Sequence, residues 1–83
     1  MDLATVKKGL GAEIREWRTR HKMTQEILAG YLDIHVNQLG RMERGTANPE
    51  LKTLHLIATR MNLSLAAFFA AAERSNQKDP SMP

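Results

Sequence analysis

The chain has 83 residues, 42% of them apolar and 25% charged, with a formal net charge of +3. That balance is ordinary for a small globular domain, and its mild basicity favours polyanionic partners. The absence of cysteine excludes disulfides and thiolate metal sites, and no apolar run reaches the roughly 18 residues that a membrane span needs.

Apolar residues recur at helical spacing along the whole chain, with no period-two alternation and no paired β-branched runs, so the expected fold class is all-α. Residues 1–9 read as an N-terminal arm or helix extension that carries Lys7 and Lys8. They lack a basic flank leading into a long apolar stretch, so no secretory signal is expected and a cytoplasmic location fits. Leu10, Ile14 and Trp17 mark the inner face of a first helix that ends at His21 and Lys22. Thr24 is a good N-cap for a short second helix, with Ile27, Leu28, Tyr31 and Leu32 as its apolar positions and Asp33 as its break. A third helix is expected from about His35, with Leu39 and Met42 inward and Gly45 as its stop. Pro49 is expected to open a fourth helix whose stripe is Leu51, Leu54, Ile57, Ala58 and Met61. Ser64 caps a fifth helix, and residues 74–83, polar and with two prolines, read as a disordered tail beyond a domain of residues 10–73.

The informative stretch is MTQEILAGYLDIHVNQLGRME, residues 23–43. Two short helices are joined there by a turn of about three residues, with Ala29 small at their approach, Ile34 filling the turn and Leu39 anchoring the second helix. This is what a helix-turn-helix requires: one helix braced so that the next can enter a DNA groove. Ile14 to Arg18, Thr24-Gln25-Glu26, Leu28-Ala29, Glu43-Arg44-Gly45, Pro49, Leu51, Leu54, Ile57-Ala58 and Leu63-Ser64-Leu65 stand in an order and spacing that resembles the Cro/phage-repressor-type helix-turn-helix (XRE) family. The resemblance implies a compact five-helix, lambda-repressor-like domain acting as a dimeric transcription regulator. Asp33 stands where the family usually has glycine, Gly40 where it has a small polar residue, and His35 where it has a serine or threonine cap.

By that resemblance, the third helix presents Val36, Asn37, Gln38 and Arg41 to bases. Arginine can pair with guanine, asparagine with adenine, and valine can meet a thymine methyl. Gln25, His35, Arg44, Thr46 and Asn48 become candidates for phosphate contact, while Arg18 and Glu43 become a structural ion pair. The fifth helix shows no polar face from Leu65 to Ala72, which makes Leu56, Leu65, Phe69 and Ala72 candidates for a homodimer interface.

Trp17 falls on the core stripe, which outweighs a role as a base-stacking platform. The three histidines have no metal-ligand spacing, and no catalytic constellation or phosphate-binding glycine loop is present. The expected partner is double-stranded DNA, with no cofactor, metal, small-molecule ligand, membrane or enzymatic activity. The expected biological roles are a phage-type repressor, a restriction–modification controller or an antitoxin-like autoregulator. The rival reading is a protein-interaction module of the same fold that does not read DNA.

Overall fold

The computed structural model describes residues 2–77. Among these residues five helices follow one another: α1 (Leu3–Arg20), α2 (Gln25–Leu32), α3 (Val36–Glu43), α4 (Leu51–Arg60) and α5 (Leu65–Gln77). They enclose a core in which Ile14, Leu32, Leu39, Ile57 and Phe68 are almost inaccessible to solvent.

Local chemistry sets most of the helix ends. The Asp2 carboxylate accepts the Thr5 N–H at 2.8 Å and starts α1, so residues 3–9 are the first two turns of α1. Thr24 Oγ1 accepts the Ile27 N–H at 3.1 Å, and Ser64 Oγ accepts that of Ala67 at 3.1 Å. Asp33 ends α2 in the left-handed region at φ 54°. There the Ile34 N–H returns to the Ala29 carbonyl, closing the helix as a glycine would. The same backbone reversal ends α3 at Gly45, φ 75°.

Four features differ from the sequence expectations. Pro49 lies before α4 rather than in its first turn. The cap is Glu50, whose carbonyl accepts from Leu54, and Pro49 instead lines a small cleft with Leu10, Ile14, Met42 and Leu54. Leu51 is 67% exposed, overhanging the edge of the core, while Thr53 takes an inward place. Ile27 and Tyr31, one turn apart, are 49% and 58% exposed, because α2 packs through a narrower stripe of Leu28, Ala29 and Leu32.

The fourth difference concerns α5. It continues through Gln77, so part of the expected tail is helical, while residues 78–83 lie outside the described residues. Its contact with α1 is the most extensive helix–helix contact in the fold. Ala71 and Ala72 are buried, and the Ser75 hydroxyl bonds the Glu13 carboxylate. Alanines 71 and 72 therefore serve the monomer core, where their small size lets α5 lie close.

Candidate nucleic-acid interface

α3 has eight residues, about 12 Å at 1.5 Å per residue. Leu39 and Met42 anchor it in the core, and Val36 packs partly against the same cluster. Asn37 and Arg41 are exposed one helical turn apart. Together with Val36, Gly40, Gln25, Glu26 and Arg44 they line an open concavity of about 360 Å³. Gln38 is half-buried and outside that lining. A side chain at position 40 would crowd the Arg44 guanidinium, at 3.2 Å, so Gly40 deepens this surface.

One carboxylate holds the two helices of the motif to α1. Glu43 accepts Arg18 Nε at 2.7 Å, Arg18 Nη2 at 3.0 Å and Gln25 Nε2 at 3.1 Å. The Arg18 and Glu43 side chains are only 14% and 4% exposed. Arg18 Nη1 also donates to the Met23 carbonyl at 2.9 Å, fixing the approach to α2. The Glu43 partnership raises the Arg18 pKa further above its ordinary value against the opposing effect of burial.

The phosphate candidates differ in what they can still donate, since a phosphate oxygen only accepts. Gln25 commits one amide hydrogen to Glu43 and keeps the second, beside the free backbone N–H groups of the first turn of α2. His35 Nδ1 accepts the Asn37 N–H at 3.3 Å, so the proton of the neutral ring is on Nε2, available to an acceptor. Arg44 is exposed. Thr46 has spent its hydroxyl hydrogen on the Arg41 carbonyl at 3.2 Å, so the expected phosphate contact would have to displace that bond. Asn48 is exposed, its Oδ1 accepting Lys7 Nζ at 3.1 Å.

A family model described as "Helix-turn-helix" matches residues 14–68. The chain belongs to the helix-turn-helix family. It is of the XRE type, a family of DNA-binding transcriptional regulators. A relative of this helix-turn-helix protein is control protein C.SmaI of Serratia marcescens, 27% identical over 73 residues, covering 88% of this chain and 87% of the relative. The fold is similar to that of the clp gene regulator ClgR of Corynebacterium glutamicum, with a TM-score of 0.76 and 24% identity. That match covers 87% of this chain and 77% of the other.

The dimer candidates of this helix-turn-helix protein divide. Ala72 is 1% exposed within the monomer and cannot contribute to a second surface. Leu56, Leu65 and Phe69 are half-buried against their own core. Leu65, Ala66, Phe69 and Ala70 share the outer face of α5, with Ala66 and Ala70 exposed. Lys7 received no role from the sequence, although it shares a helical face with Leu10 and Ile14; that register is the signal that would have directed it toward the loop after α3.

Proposed function

We propose that the chain is a homodimeric, sequence-specific regulator that sets α3 in the major groove of a near-palindromic operator. The observation that carries this reading is the concavity that joins Asn37 and Arg41 on α3 to Gln25 at the start of α2. Base-pairing groups and a backbone-contacting group thereby lie on one face, as groove docking demands. Asn37, Arg41 and Val36 read bases, with Gln38 at the rim, while Gln25, His35, Arg44 and Asn48 hold phosphates. Leu65 and Phe69, with Leu56 beside them, anchor the second copy. On this reading the protein acts by binding alone, without catalysis or a small-molecule ligand, in the cytoplasm where the DNA is.

Likeness to a protein named as a control protein, over 88% of the chain, favours a controller of a restriction–modification operon over a phage-type repressor or an antitoxin-like autoregulator. Selection of bound fragments from a random duplex pool tests the whole reading. The expected product is a two-fold related pair of half-sites whose log affinity falls linearly with log salt, by about 0.9 per phosphate contacted. An unselected pool, or affinity flat between about 50 and 200 mM salt, would favour the interaction-module reading.

A further inference from the structure

The first two turns of α1 lie against the loop that follows the recognition helix, and two consecutive lysines reach opposite sides of that loop. Lys7 Nζ bonds Asn48 Oδ1 at 3.1 Å. Lys8 passes over Gly45 so closely that a side chain there would meet the Lys8 Cα at 2.9 Å. Beyond Gly45, Lys8 lines an open concavity of about 490 Å³ with Arg15 and Arg44.

We propose that Lys7 and Lys8 contact DNA phosphates, so that the N-terminal turns of α1 grip the backbone beside loop 44–49. This inference rests on the DNA-binding reading above and extends its interface to an element to which that reading assigns no part. The direction of the Lys7–Asn48 bond supports it. Asn48 uses its only acceptor oxygen on Lys7, which leaves its amide N–H groups, while Lys7 keeps two of its three ammonium hydrogens. The pair therefore presents donors and positive charge outward, a combination that suits an anionic, acceptor-only group. Nearby acids offset this charge only in part. The Asp2 carboxylate, which caps α1, also feels Lys8, and Glu50 lies 3.6 Å from Lys52. In the Lys8 concavity two carboxylates, Glu16 and Glu43, stand among three cations, but Glu43 is bound by Arg18.

The test uses the selected operator with the wild type, Lys7→Met, Lys8→Met and the double variant, titrated at several salt concentrations. Methionine keeps the apolar stem and removes the charge. Each single variant should lower the steepness of the log–log salt dependence by about 0.9, and the double variant by about twice that. Base preference and helical circular dichroism should be unchanged, and Arg60→Met, at the C-terminal end of α4, should match the wild type. A double variant with the wild-type slope overturns the proposal. So does a loss of affinity equal at all salt concentrations, which would make the Lys7–Asn48 bond a loop support only. If Arg44→Met reduces the slope while the lysine variants do not, DNA binding stands and this inference alone fails. A wild type without salt-dependent binding removes both.

Discussion

Arg41 and Gln25 line the same concavity but should behave differently when removed. Arg41→Ala should cost about 1–3 kcal/mol on the selected site and relax the preference at one base pair. Gln25→Ala should weaken all sequences evenly, because a phosphate carries no base identity. Competition binding against single-base operator variants separates the two, and unchanged selectivity in Arg41→Ala would remove α3 from the groove. Glu43 acts on stability instead. Glu43→Ala leaves the shielded Arg18 guanidinium without its anion and should cost about 3–5 kcal/mol, a large part of the roughly 5–15 kcal/mol typical of a native protein. Replacing both partners by apolar residues should recover much of that loss. A thermal unfolding curve for Glu43→Ala within experimental error of the wild type would show that the pair is solvated.

Along α5, residues 65, 66, 69 and 70 occupy one face and the buried Phe68, Ala71 and Ala72 another. Ala66→Arg places charge on the outer face without touching the core, so it should yield folded monomers with much weaker operator binding. Sedimentation at micromolar concentration checks this, and a dimer that persists would move the interface away from α5. Phe69→Glu should have the same effect, with an added loss of stability because Phe69 also packs on the core. The element boundaries at Thr24, Asp33, Gly45 and Ser64 were legible in the sequence because capping is local chemistry. The outward positions of Ile27, Tyr31 and Leu51 were not, because they depend on how helices cross. Ala72 was misread for the same reason: an alanine run looks the same whether it faces a second copy or α1. Among candidate site residues, the side chains around α3 were legible from the motif, whereas the bond that occupies Thr46 and the reach of Lys7 emerge only from the folded chain.

The whole molecule has a Cα radius of gyration of 12.1 Å, close to the roughly 13 Å expected for a chain of about 100 residues. On the proposed reading, a single copy of this size covers about one half-site, and a palindrome needs two. Two recognition helices in a symmetric dimer must address grooves about one DNA turn apart, roughly 34 Å. Inserting about five base pairs between the selected half-sites puts them on opposite faces of the duplex and should abolish dimer binding. Gel-shift titration of the spaced operators checks this, and indifference to the insertion would mean that each copy binds alone.

Gly11 is buried where α1 crosses the end of α3, and a methyl group there would run into the Met42 and Glu43 carbonyl oxygens. Helix α3 is thus shut under another helix at its C-terminus, and with eight residues it is too short to persist alone, since isolated helices under about 12 residues are marginal. Its opening should therefore require the opening of the whole domain. Amide hydrogens of Leu39 to Glu43 should therefore exchange with deuterium only through global unfolding, at the rate of the slowest core amides. On the proposed reading α3 reaches DNA already shaped, and its binding should carry none of the heat-capacity signature of a segment that folds on contact.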